Sequence, residues 1–313
     1  MTGVLVSGNI VLDTLVRPVE QIRWGASIWV ESIERSLGGN GANTAYTLGL
    51  LGVPTRLLGM VGNDEPGGYL LAALASAGVD TRGVTRSKGL SAGTVALVKS
   101  DGERMFLHQP GASLEVFAEP IEFTSDLIAG VSHYHLGSPF ALPRQRSHVA
   151  ETLRRARAAG LITAVDTQWD SRGKWMEDFA AALPYIDILF MNQDESRMLT
   201  GHAGPASAAR AVRGEGVRWA VMKLSGQGCA VFGPGTEAWA PAFDVPVLDT
   251  TGAGDCFAGA YLAMLARGGT HPEAARFANG VAALAIQKLG AVAGLLPFEE
   301  TLQRIAGMAL KPG

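Results

Sequence analysis

Val247-Leu248-Asp249-Thr250-Thr251-Gly252-Ala253-Gly254-Asp255-Cys256-Phe257-Ala258-Gly259-Ala260 is the stretch on which the reading of the whole chain turns. The apolar run 245–248 reads as a strand end, and the spacing of Phe257, Ala260, Tyr261, Met264 and Leu265 predicts a helix directly after the glycines. Glycine at 252 and at 254 removes the Cβ atoms that would hold a ligand off the backbone, and it permits positive φ. Several N–H groups can then face one point at a helix N-terminus, where the helix dipole also favours negative charge. An aspartate in such a turn would repel a phosphate if its task were binding. It suits a base that takes a proton from a hydroxyl while the N–H groups of Ala253, Gly254 and Asp255 stabilise a transferring phosphoryl group. Asp255 is therefore the candidate base, with Gly252, Ala253 and Gly254 as the catalytic anion-binding turn. The alternative is an acidic first-turn residue stabilised by the dipole, beside ordinary turn glycines.

Working outward, the 313 residues suffice for one large α/β unit with a sizeable core, and a single domain over 1–313 is expected. Hydrophobic content of 47% with 18% charged residues is that of a soluble globule, neither disordered nor fibrous. The formal net charge is -3 and the basic residues are scattered, so nucleic acid and anionic membranes are not expected partners. The densest basic run, Arg154-Arg155-Ala156-Arg157, reads as a solvated helix face. Cys229 and Cys256 read as buried, unpaired thiols of a reducing compartment. No basic-then-apolar leader opens the sequence and no apolar run reaches the ~18 residues of a membrane span, so a cytoplasmic location is expected.

Apolar strands alternate with helical patterns along the chain, as in a doubly wound, mainly parallel sheet flanked by helices. Val4-Leu5-Val6 leads into Ser7-Gly8-Asn9 and Asp13, which places Asp13 at the carboxyl edge where such folds bind ligands; the bland reading is a turn or cap residue. Residues 16–35 alternate polar and apolar, as do 93–108 about the turn Ser100-Asp101-Gly102, a hairpin signal. Gly38 and Gly39 permit close backbone approach, and Asn43 offers an amide to vicinal hydroxyls, although tight helix–sheet packing also uses such glycines. His133 and His135 share a strand face but have no third ligand at metal spacing, so they read as strand histidines. Asp166-Thr167-Gln168-Trp169-Asp170 ends a strand in a polar turn and is a possible substrate-side element. Asn192, Asp194 and Glu195 follow a strand as helix-start acids or a metal element, and Lys223-Leu224-Ser225-Gly226-Gln227-Gly228 is a strand end and turn. No G-x-x-x-x-G-K-[ST] run occurs and no G-x-G-x-x-G opens the first βα unit, which disfavours a Walker-type site and a dinucleotide enzyme.

The run Asp249 to Ala260, with Gly38-Gly39-Asn40-Gly41-Ala42-Asn43 upstream in the expected order, resembles the two signatures of the ribokinase-like (PfkB) family of carbohydrate and nucleoside kinases. That resemblance covers nearly the whole chain. It implies a ribokinase-like fold with a small β-sheet lid from about 14–35 and 92–109, and a homodimer through that lid. It assigns Asp13, Gly38, Gly39, Asn43, Ser113 and Asp255 to a sugar substrate. It assigns Asn192, Lys223, Ser225, Gly226, Gly228 and Asn279 to ATP, and Glu195 to Mg²⁺ through water. Asp249 and Thr251, with the loop 288–294, are the family's place for a monovalent cation such as K⁺. The expected activity is ATP-dependent phosphorylation of a small sugar. A nucleoside kinase of the same family is the first alternative, since Trp24, Trp29, Phe106 and Trp169 leave a base slot possible. A non-catalytic sugar sensor is the second, and the intact Gly252–Asp255 turn argues against it. Arg104 or Arg172 could pair with a carboxylate or phosphate on the substrate, or lie at the surface.

Overall fold

The computed structural model describes residues 1–100 and 103–311. Its strands are β1 (Gly3–Ser7), β2 (Val11–Arg17), β3 (Ser32–Gly38), β4 (Thr55–Gly62), β5 (Val79–Asp80), β6 (Val84–Ser87), β7 (Ala92–Val98), β8 (Arg104–Gln109), β9 (Val131–Gly137), β10 (Ile162–Asp166), β11 (Ile188–Asn192), β12 (Trp219–Lys223), β13 (Cys229–Gly233) and β14 (Thr236–Ala240). The larger sheet runs β14-β13-β12-β11-β10-β9-β1-β4-β5, with β6 also beside β4. Its ladders are parallel from β12 across to β5, and β13 and β14 close one side as antiparallel strands.

Because successive strand residues point to opposite faces, short apolar runs feed two cores at once. Val4, Val6, Ala164, Ile188 and Phe190 pack with the helices Asn40–Leu50, Ala253–Ala266 and His271–Ala285. Leu5, Tyr134, Leu136, Val165 and Leu189 pack on the other face, against the helices Val149–Ala158 and Pro205–Gly214. Each fully buried Leu or Phe contributes roughly 1.5–3 kcal/mol, so these two layers dominate the stability. The chain goes from β1 to β4 on one side and returns to β9 on the other, which makes the gap between β1 and β9 a topological switch point. Loops at the carboxyl ends of such strands form a ligand crevice.

The small sheet has the order β3-β2-β7-β8, with β2 and β7 parallel and the outer pairs antiparallel. The hairpin expected over 93–108 is present as β7 and β8, while Asp101 and Gly102 of its turn lie outside the described residues. Residues 18–31 are not strand, contrary to the alternation read over 16–35. Pro18 offers no N–H to a ladder, and Trp24 and Trp29 stand 99% and 96% exposed. The lid strands are thus 11–17 and 32–38 rather than a continuous 14–35. The segment 245–248 is likewise not a sheet strand. Pro246 interrupts its donors, and Leu248 and Asp249 hand their N–H groups to the Ile286 carbonyl (2.8 and 3.1 Å).

Candidate active site

The turn before the helix Ala253–Ala266 forms as its glycines require. Gly252 caps the helix at φ 71°, and a Cβ there would meet Ala291 Cβ at 2.4 Å. The Ala253 N–H is drawn back to the Thr250 carbonyl at 3.3 Å. Gly254 and Asp255 follow as first-turn residues, whose N–H groups have no carbonyl of the helix to bond. Beside them lies Lys223, whose Nζ is 3.1 Å from where a Gly254 Cβ would stand.

Asp255 is 4% exposed, and three side-chain amides donate to its carboxylate. Asn40 and Gln168 reach Oδ1, each at 3.0 Å, and Asn43 reaches Oδ2 at 2.9 Å. Burial pushes the Asp255 pKa up, and the amides of Asn40 and Asn43 and the charge of Lys223 only partly offset it. The result is a fixed carboxylate with raised proton affinity, as a general base near neutral pH requires. Asn40 was given no role of its own from the sequence, and Gln168 was named only within the substrate-side turn 166–170. Asn40 stood three residues before Asn43 in the quoted run, a spacing that puts both on one helix face. Gln168 holds a positive φ of 57° at the end of β10, a feature no local pattern announces.

Two cavities meet on this carboxylate. The first, about 450 Å³, is lined by Asn192, Glu195, Lys223, Ser225, Gly226, Gly228 and Asn279, together with the apolar side chains of Val245, Val247 and Ile286. The second, about 510 Å³, lies under the small sheet and is lined by Asp13, Gly39, Asn43, Ser113 and Arg104. Asn40, Gly252 and Asp255 belong to both. Every residue assigned to the nucleotide therefore faces one cavity, and those assigned to the sugar face the other, except Gly38. That glycine supports Asp13 instead: a Cβ at 38 would fall 2.1 Å from Asp13 Oδ2. Burial raises the Asp13 pKa to about 6. The Asn43 Oδ1 atom is buried with no partner among the described residues, an acceptor available to a hydroxyl in the second cavity.

On the nucleotide side, Lys223 Nζ bonds both Asp166 oxygens at 2.7 Å. Burial would lower the Lys223 pKa, but Asp166, Glu195 and Asp255 outweigh it and hold the ammonium charged. Asn192 and Glu195 form a capping box at the start of the helix Gln193–Thr200. Glu195 Oε2 takes the Asn192 N–H (2.9 Å) and the Thr167 hydroxyl (3.0 Å), and Oε1 takes the Asn192 amide (2.8 Å). This carboxylate caps a helix and still faces the cavity, so the two readings of Asn192 and Glu195 are compatible. It fits a metal held through water, since a hard divalent ion needs one or two carboxylates besides phosphate and water. Asn279 donates to the carbonyls of Ala240 and Pro241 (3.0 and 3.1 Å), which fixes the cavity's outer wall.

The place assigned to a monovalent cation holds a guanidinium nitrogen. Arg104 Nη1 lies 2.7 Å from Asp249 Oδ1 and 2.8 Å from Thr251 Oγ1. These two residues therefore do not present the free oxygen ligands a hard cation requires. Among the described residues no group of three or more His, Cys, Asp or Glu could hold a metal ion, His133 and His135 included.

A model of the pfkB family of carbohydrate kinases matches residues 1–298. The chain belongs to that family. As a member it is an ATP-dependent phosphotransferase. It is 31% identical over 297 residues to an ATP-dependent ribose-1-phosphate kinase of Halopiger xanaduensis, covering 93% of this chain and 94% of that one. It is 29% identical over 284 residues to fructokinase-1 of Zea mays, covering 86% and 88%. The ribokinase of Arabidopsis thaliana, solved with ribose and ATP, superposes with a TM-score of 0.82 at 25% identity over 97% of this chain and 98% of that one. An E. coli structure holding ATP and Mg²⁺ has the same fold, with a TM-score of 0.87 at 23% identity over 98% and 99%. The doubly wound sheet with a separate small sheet is thus the ribokinase-like fold.

Proposed function

We propose that this kinase transfers the γ-phosphoryl group of ATP to a hydroxyl of a small sugar, with Asp255 as general base. The observation that carries the reading is that the nucleotide-side and sugar-side cavities open onto the same buried carboxylate. The acceptor hydroxyl gives its proton to Asp255 and its oxygen attacks the γ-phosphorus, as the bond to the leaving ADP oxygen breaks. Charge on the phosphoryl oxygens meets the Gly254 and Asp255 N–H groups and the Lys223 ammonium. Glu195 and Asn192 are the groups that would hold Mg²⁺ through water, and bound Mg²⁺ supplies charge neutralisation on the phosphates. Ser225, Gly226 and Gly228 line the phosphate approach, and Val245, Val247 and Ile286 give the base an apolar wall. Asp13, Gly39, Asn43 and Ser113 hold the sugar, and closure of the small sheet excludes water that would compete as acceptor.

A sugar suits the second cavity better than a nucleoside does. Among the described residues lining it Phe106 is the one phenyl ring, while Trp24 and Trp29 stand in solvent and Trp169 lies outside the lining. A pure sensor would have no use for a base between two cavities. The test is ATP consumption with Mg²⁺ against a panel of sugars, sugar acids, sugar phosphates and nucleosides, with Asp255→Asn alongside. The expected result is one turned-over acceptor and a loss of at least ~10²-fold in kcat for the folded variant. Normal turnover by the variant would remove Asp255 as base. Tight binding of one compound with no turnover would move the sensor reading ahead.

The outer face of the small sheet is the surface for a second copy. Ile33, Val16, Leu97 and Met105 form one cross-strand row, with Val95 and Leu107 adjacent. Ile33, Met105 and Leu107 are exposed, while the alternate β8 residues Arg104, Phe106 and His108 line the second cavity.

A further inference from the structure

The charge partner of Asp249 comes from the lid rather than from the core. Asp249 is 1% exposed and lies three residues before the capping Gly252 of the phosphoryl-binding turn. Its Oδ1 accepts the Thr251 N–H at 2.9 Å as well as Arg104 Nη1, and its Oδ2 accepts the Gly290 N–H at 2.9 Å. Burial alone would raise its pKa. The Thr251 and Gly290 N–H groups, the Thr251 hydroxyl and the Arg104 charge reverse that and hold it below the usual carboxylate value. A buried carboxylate this near an anion-binding turn opposes a phosphoryl group unless a cation balances it. Among the described residues Arg104 is the cation paired with it. It is the first residue of β8, and it spans a separation of 145 residues to reach Asp249.

A monovalent ion placed on the same oxygens would stand within contact distance of a guanidinium, with like charges in a water-poor site. Two of its oxygen ligands are also taken, because Asp249 Oδ1 accepts from the Thr251 N–H and Arg104, and Thr251 Oγ1 accepts from Arg104. We propose that Arg104 is a built-in replacement for a monovalent cation, so that phosphoryl transfer by this enzyme needs no K⁺ and the balancing charge is supplied by the small sheet. The inference rests on the Gly252–Asp255 turn being the phosphoryl site. Arg104 is a positioning residue in this scheme: it acts through Asp249 and Thr251 on the turn rather than on the reacting atoms.

The test has a binding arm and a turnover arm. Thermal melting of wild type, Arg104→Ala, Arg104→Gln and Arg104→Lys is compared in KCl and in choline chloride at equal ionic strength. The acceptor found by the panel is then turned over under the same two salts. Wild type and Arg104→Lys are expected to melt and turn over equally in both salts. Arg104→Ala and Arg104→Gln open the oxygens, so K⁺ should raise their melting temperature. Their turnover should fall about tenfold or more in choline and recover at least severalfold in K⁺. K⁺ activation of wild type overturns the proposal, as does a loss in the Ala and Gln variants that K⁺ neither rescues nor binds. That last result would make Arg104 a substrate contact. Should no acceptor be found, the kinase reading fails on its own panel while the melting arm still decides whether K⁺ and Arg104 compete for one site.

Discussion

At the scale of single residues, the site is a set of charges whose burial makes each useful. Asp255 suits the role of base proposed for it because desolvation raises its pKa while three amides fix its direction. Asn43→Ala removes what is, among the described residues, the one side-chain bond to Oδ2, together with the unpartnered Oδ1, so it should raise KM for the sugar and lower kcat by about tenfold, read from steady-state kinetics. Asp13 gives a pH signature. Its folded pKa of about 6 exceeds the unfolded value of 3.8, so the folded state binds more protons between them. The stability this contributes is present below about 4 and is lost as pH rises through about 6, an effect of roughly 1–3 kcal/mol. Urea unfolding from pH 4 to pH 7 should show that decline, and Asp13→Asn should flatten it while weakening sugar binding. An unchanged slope in the variant would remove Asp13 as its source. Both residues were assigned through the family resemblance; what no motif contained was that Asn43 donates to the Asp255 carboxylate.

At the scale of elements, the loop after β10 brings Gln168 to Asp255, and a buried ion pair holds that loop. Arg146 donates to both Asp170 oxygens (2.7 and 2.8 Å), and Asp170 also takes the N–H groups of Arg172, Lys174 and Trp175. These bonds outweigh burial and hold the Asp170 pKa well below the usual value. Breaking a buried pair by removing one partner costs about 3–5 kcal/mol, because the other charge is left unpaired. Arg146→Met should therefore lower the unfolding free energy by that order and reduce kcat through Gln168, with ATP affinity little changed. Retained stability would show that the loop is held by its packing alone. The sequence reading passed over this pair because its partners lie in different elements, 24 residues apart. The lid strands were legible only where alternation coincided with ladder partners. Alternation over 18–31 carried no such partners, and Pro18 and the exposed tryptophans left that segment as loop.

At the scale of the whole molecule, the small sheet covers the second cavity with one face and offers an apolar row on the other. A second copy docked there would couple lid position in the two halves. Met105→Glu paired with Leu107→Glu should convert a dimer into a monomer by sedimentation, with the main sheet's melting little altered. A wild-type monomer at micromolar concentration would end that reading. Among the described residues no helix is long and apolar enough to cross a membrane, and Cys229 and Cys256 are free and buried, their pKa values pushed up to about 12.

The sequence by itself determined the sheet class and the helix N-terminus at Gly252, and it singled out Asp255 as the candidate base. These rest on local physics: alternation and period set the elements, and glycine beside aspartate permits a turn that other residues cannot form; the assignment of residues to sugar or nucleotide came from the family resemblance instead. Only the tertiary structure decided who stands next to whom. Gln168 and Asn40 converge on Asp255 across 87 and 215 residues, and Arg104 reaches Asp249 across 145. Such pairings depend on the strand order and on the docking of the small sheet, which no window of sequence encodes. They set an arginine of the small sheet on the buried carboxylate that precedes the Gly252–Asp255 turn.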